Sequence, residues 1–302
     1  ENSSAETRAH ALWILEHFEA LKSEDVLAAL SSENPDLVEN AIELASRSYA
    51  DNAEIQSKMA ELIRNPSARV QFLSLTSFPL KPESRSVDDL VAMVKANPED
   101  PWMRRALMSS RPDQVGAILA SILGDSDYLA KASAAKTELL KDLASLAAAN
   151  GNAAALGSVI QKLNGNPSWW HFAVVNGLST GLRKGSLKQK SIAALVASPP
   201  EEIGDDAKIL SSVLEKASEL VLDASQPAAN RVAALPLVAQ QGIDKTLPIV
   251  DKLIAPAEPA SVQEAACRAL SSFKRDQVAE FFFERWENLA PTPRREALAL
   301  IT

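Results

Sequence analysis

The three histidines are the first residues to weigh as chemistry. His10 and His17 lie seven apart, so a helix would put them on one face. Two turns separate them by about 10 Å of helical rise, too far to share one metal ion. His171 stands between Trp170 and Phe172, which reads as a packed or surface ring rather than a general base. Carboxylates pair at Glu24-Asp25, Asp88-Asp89, Glu99-Asp100, Glu201-Glu202 and Asp205-Asp206. All fall at expected helix starts or loops, where capping and the helix dipole account for them without acid–base work. Asp125-Ser126-Asp127 opens like a calcium loop, but the glycine and distal glutamate of that loop are missing at the required offsets. The single cysteine, Cys267, sits in an alanine-rich helical stretch and reads as a small core residue rather than a reactive thiol. Gly124, Gly151, Gly165, Gly177, Gly181 and Gly185 do not compose a phosphate-binding loop. The sequence therefore nominates no catalytic, cofactor-binding or metal-ligating residue, and the chain is read as a non-enzyme.

What recurs instead is a helix-opening phrase. Asn34-Pro35 gives an N-cap and a first-turn proline, and Val38, Ala41, Ile42 and Ala45 then fall on one face. Asn65-Pro66 repeats it, and further copies begin at Pro101, Pro167, Pro227, Pro259 and Pro291. Successive steps are 31 and 35 residues at Pro35–Pro66–Pro101, and 32 and 32 at Pro227–Pro259–Pro291. The intervening gaps of 66 and 60 are each about two units. A step of this size holds two helices and a turn, and such a pair must stack on its neighbours to bury its apolar face. Arg8, Arg69, Arg104, Arg231 and Arg294 recur near helix starts and are expected to bond neighbouring helix ends or carboxylates as a ladder.

The expected architecture is all-α: one right-handed α-solenoid of stacked antiparallel helix pairs, a HEAT/armadillo-like superhelix over residues 1–302. Alanine and leucine dominate the apolar residues, which favours helix packing over sheets. Helices are expected over Ala5–Lys22, Leu129–Ala149 and Thr246–Ile254, among others, with a loop over Pro79–Arg85 and a kink at Pro236. Asn150-Gly151-Asn152 should end the long helix with a C′ glycine. A formal charge of −8 and the lack of a basic stripe argue against nucleic acid. No stretch of about 20 apolar residues offers a membrane span. The apolar helix at Ala297–Thr302 lacks a polar cap, so both ends are expected to be cut from a longer polypeptide.

Proline-led helix pairs followed by Val or Arg and then Ala and Leu resemble the HEAT repeat. Three segments are similar to something narrower: Arg8-Ala9-His10-Ala11-Leu12-Trp13, Trp169-Trp170 through Gly177-Leu178 and Gly181-Leu182, and Glu258-Pro259 through Trp286 to Pro293-Arg294-Arg295. Together they resemble the helical region of the large secreted haem-binding proteins of the planctomycete–verrucomicrobial type, often called membrane-bound dehydrogenases. There a β-propeller precedes the helical region and a c-type cytochrome domain follows it. The resemblance implies an exported, periplasmic or secreted parent with redox activity and electron transfer. Haem c would sit only in a flanking domain, because covalent attachment needs Cys-x-x-Cys-His and this chain has one cysteine. The expected partners are flanking domains of the same polypeptide or another protein. The competing readings are a stand-alone cytoplasmic HEAT-repeat adaptor and a HEAT-like DNA-repair glycosylase, the latter disfavoured by the acidic charge.

Overall fold

A computed structural model describes residues 4–78, 86–110 and 112–301. The loop expected at Pro79–Arg85 lies outside them. Among the described residues all regular structure is helical. Cα proximity divides the chain into two compact units, residues 1–128 and 129–302.

The first unit holds α1 (Ala5–His17), α2 (Ser23–Leu30), α3 (Pro35–Ser48), α4 (Ala53–Glu61), α5 (Ala68–Thr76), α6 (Val87–Ala96), α7 (Pro101–Ser110) and α8 (Val115–Leu123). A single turn, α9 (Ser126–Leu129), follows. Helices pack on their next-but-one neighbours: α1 on α3, α3 on α5 and α5 on α7 form one row, while α2 packs on α4 and α6 on α8. Val26, Leu37, Val38, Ile55 and Met59 are wholly buried between them. The Asn34 side chain caps α3 by accepting the Leu37 N–H at 3.2 Å, with Pro35 at the first helical position as the sequence indicated. Pro101 and Pro291 likewise open their helices, but at other copies the proline slides. Pro66 precedes the true cap, Ser67, while Pro227 and Pro259 are themselves the capping residues. The first helix also stops earlier than expected, at His17 rather than Lys22. Glu19 adopts a left-handed φ of 55°, and the Ala20 and Leu21 N–H groups both return to the Leu15 carbonyl.

The second unit holds α10 (Ala134–Asn150), α11 (Ala153–Gln161), α12 (Trp169–Lys184), α13 (Ile192–Ala197), α14 (Ala207–Leu222), α15 (Ala228–Val238), α16 (Ile243–Leu253), α17 (Ala260–Ala269), α18 (Arg275–Arg285) and α19 (Pro291–Ile301). The row α10, α12, α15, α17, α19 repeats the next-but-one contacts except at α12 and α15, which meet across two intervening helices, and α14 packs on α11 and α16 beside it. The long helix begins at Ala134, not Leu129, because Ser133 caps it by accepting the Lys136 N–H. It ends at Gly151 with φ 72°, the left-handed C-terminal glycine the sequence called for. Helix α16 begins three residues before the expected Thr246, which moves Pro248 from its first turn into its second. Pro236 stays inside α15, which tightens to a 3₁₀ turn at Ala239–Gln241.

Two devices hold the rows together. The first is a glycine ridge on α12. A Cβ built at Gly177 would lie 2.2 Å from the Lys141 carbonyl oxygen, and one at Gly181 would lie 2.0 Å from that of Ser145. Gly185 would crowd Ala148 and Ala149 in the same way. Contacts advance along both helices in the same direction, so α10 and α12 run parallel, backbone against backbone. The second device, at several helices, is a polar side chain at the fourth residue after the N-cap that bonds back onto carbonyls of the preceding segment. Gln56 bonds the Ala50 carbonyl, Gln71 that of Asn65, Arg231 that of Val221 and Thr246 that of Val238. Gln263 bonds those of Ala255 and Glu258, and Arg294 those of Trp286 and Glu287. Carbonyls left over at a helix end must find donors when buried. This position supplies them.

Candidate interaction surface

The residues weighed for chemistry are dispersed and mostly committed. His10 and His17 are exposed on α1, whereas His171 is buried on α12. Its Nδ1 accepts the Ser168 N–H at 2.9 Å, which closes a capping box and places the ring proton on a buried Nε2 that has no hydrogen-bond partner among the described residues. Burial, reinforced by the Lys216 charge, pushes its pKa down to about 4. The imidazole is therefore a neutral packing group, stacked on Trp170 with centroids 3.5 Å apart. Burial drives the Cys267 thiol up to about 12, far from the thiolate a reactive cysteine needs.

Members of three carboxylate pairs serve helix starts, whereas Asp205 and Asp206 bond the side chains of Lys208 and Gln161. Asp25 accepts the Lys22 N–H, Asp100 accepts those of Trp102 and Met103, and Asp89 accepts the Ser86 hydroxyl and pairs with Arg64 at 2.6 Å. Asp125 is held below the usual carboxylate range by the Lys95 ammonium and by the Tyr128 N–H. Lys95 thus already neutralises one of the two carboxylates of the Asp125-Ser126-Asp127 run. Among the described residues no three His, Cys, Asp or Glu side chains converge to hold a metal ion, and no helix is long and apolar enough to cross a membrane.

Among the described residues the arginine ladder is seen at Arg69, Arg231 and Arg294. Arg69 on α5 meets Glu39 on α3 at 2.7 Å, and Arg294 closes the end of α18. Arg231, 2% exposed, forks onto Glu258 at 2.8 Å while its Nε serves Val221. Arg8 is exposed and Arg104 half-buried. The glutamine and threonine members of the same system carry no arginine to flag them. Only their shared offset from a Ser, Asn, Pro or Gly cap could have revealed them.

Of the aromatic clusters, Trp169 and Trp170 are both half-buried, and Trp169 donates its indole N–H to the Leu129 carbonyl at 3.0 Å. Phe281 and Phe282 are buried, but Phe283 is 64% exposed. An aromatic the sequence did not single out is the more informative one. Trp102 on α7 is 61% exposed and forms the outer wall of a groove of about 530 Å³ between α5 and α7. Phe72, Leu73 and Ala68 of α5 line the groove, and Arg69 and Asp100 stand at its rim. The Arg105 guanidinium lies over the Trp102 ring, 5.2 Å from its centroid. An indole held in water at the mouth of an apolar cleft, propped by a cation, has the make-up of an interface anchor.

No family model matches this chain, and neither a curated protein nor a solved structure matches it.

Proposed function

We propose that this chain is a non-catalytic scaffold and protein-interaction module, built as an α-solenoid of HEAT-like helix pairs. The observation that supports the reading is the run of helix-on-helix contacts within each unit, in which helices mostly pack on their next-but-one neighbours and α10 and α12 lie parallel. Antiparallel pairs stacked one on the next produce this arrangement, and repeat proteins use it to present extended binding surfaces. The Trp102 groove supplies an anchor point on such a surface. By the family resemblance, the module is the helical arm between a β-propeller and a c-type cytochrome domain in an exported redox protein. Any haem then belongs to the flanking domain.

The test is an intact mass and visible absorption spectrum of the native protein from its source. A mass well above 32.4 kDa with a haem Soret band is expected. A native mass near that of the chain, without a chromophore, would refute the redox-arm assignment. An adaptor acting alone would then be sought through its partner.

A further inference from the structure

A second groove, of about 460 Å³, runs between α16 and α18 in the second unit. Its floor is apolar: Phe281, 4% exposed, with half-buried Leu247 and Ile243. Its walls are acidic. Asp244 and Asp251 stand on α16, Glu280 and Glu284 on α18, and Arg285 is the one cation in the lining. Four carboxylates against one guanidinium leave three uncompensated negative charges around an apolar floor.

Arg285 displays the chemistry this groove accepts. Its guanidinium lies 4.2 Å from the Phe281 ring centroid, bonded to Asp251 at 2.5 Å and to Glu284 at 3.0 Å. A flat cation is stacked on a ring face and held between carboxylates from two helices. Two further carboxylates line the groove nearer the N-termini of these helices, Asp244 on α16 and Glu280 on α18, both exposed. Neither residue meets a cation among the described residues. We propose that this groove docks an arginine-bearing segment of a protein partner, with the guest guanidinium held by Asp244 and Glu280 and an adjoining apolar side chain on Leu247 and Ile243. Arginine fits better than lysine, because its planar group can both stack and fork. A divalent cation fits poorly, since no metal-holding cluster forms here, and the charge repels nucleic acid. The proposal gives the interaction-module reading a partner chemistry and rests on that reading.

The probe is a fluorescein-labelled ten-residue peptide of alternating leucine and arginine, titrated with the full chain and followed by fluorescence anisotropy. Lysine-for-arginine and glutamate-for-arginine peptides serve as comparisons. Binding is expected to rank arginine over lysine, to vanish for glutamate and to weaken with salt. Asp244→Asn with Glu280→Gln should weaken it about tenfold, from a few-fold per exposed charge. Removing equal charge elsewhere, by Glu202→Gln with Asp205→Asn, should leave it unchanged. Equal losses from both double variants would mean bulk charge alone and would overturn the proposal, as would displacement of the peptide by millimolar calcium. Trp102→Ala should not affect this peptide. If a native partner is captured through Trp102 while the arginine peptide fails to bind, the groove assignment is wrong and the interaction-module reading stands.

Discussion

Gly181→Ala puts the packing argument at risk most directly. In an exposed helix interior this substitution stabilises by about 0.8–1.0 kcal/mol, because alanine gives up less backbone freedom on folding. Here the added methyl would lie 2.0 Å from the Ser145 carbonyl oxygen and 2.8 Å from both the Ser145 carbonyl carbon and the Ala148 Cβ. Ordinary contact needs about 3.5 Å or more, so α10 and α12 must separate along their length. Overpacking of this kind costs about 1–3 kcal/mol and occasionally more. Two of the three clashing atoms are backbone, which cannot rotate away, so the cost belongs at or above the top of that range. After subtracting the propensity gain, we expect a net loss of about 2 kcal/mol. For a unit of this size that is a fall of about 4–8 °C in the unfolding midpoint. The assay is urea denaturation followed by circular dichroism, with thermal melting alongside. Gly177→Ala should match it, since its clash with Lys141 is of the same kind at 2.2 Å. Gly157→Ala should cost much less, because its nearest contact is the Glu202 carbonyl at 3.2 Å. Adding Ala148→Gly to Gly181→Ala should not rescue it, because the shortest contact, with Ser145, remains. A neutral or stabilising Gly181→Ala would refute the close parallel packing of α10 and α12.

Three further outcomes follow from the same structure. A base with a depressed folded pKa binds fewer protons folded than unfolded, so His171 should make stability fall as pH drops from about 6.5 towards 4. The loss by pH 4.5 is about 2 kcal/mol; His171→Gln keeps a capping-box acceptor and should flatten the slope, as read from urea midpoints across pH. Arg231→Met strands Glu258 and the Val221 carbonyl and should cost about 3 kcal/mol in the same assay, with Arg231→Lys no better because lysine cannot serve both at once. Trp102→Ala should change stability by under about 0.5 kcal/mol, as an exposed side chain, yet abolish capture of the native partner in a pull-down.

Much of the fold was legible because helix starts are local chemistry. Asn34, Ser67, Ser133 and Asn152 each cap the backbone with their own side chain, and that preference is written in the residue. Boundaries failed where a neighbouring residue outcompeted the expected one. Ser133 displaced Leu129 as the start of α10, and the left-handed turn at Glu19 cut α1 short. The glycine ridge was invisible for a different reason. A helical glycine reads as a weakness until the partner helix is known, and Gly177 and Gly181 acquire meaning only from the carbonyls of Lys141 and Ser145, more than 30 residues upstream. The exposure of Trp102 is equally non-local, since a tryptophan beside Met103, Ala106 and Leu107 reads as core until the packing shows which face it takes.

The residues at the fourth position after the cap explain why the repeat is hard to read by residue type. Arginine, glutamine and threonine share little on a propensity scale, yet each offers at least one donor that can reach back to a carbonyl. Where one of these residues holds the position it has one task, to give a donor to carbonyls left by the segment before its helix. Arg231, Gln263 and Arg294 open successive helices of one row, α15, α17 and α19, and all close the turn before their own helix. Reading arginine alone found two of these three and none of the glutamines. It also drew in Arg69, two residues after its cap, which reaches sideways to Glu39 instead. In α15, α17 and α19 the repeat is thus kept as a hydrogen-bonding role at a fixed offset from the cap, whereas buried Val38 and Phe172 fill that position in α3 and α12.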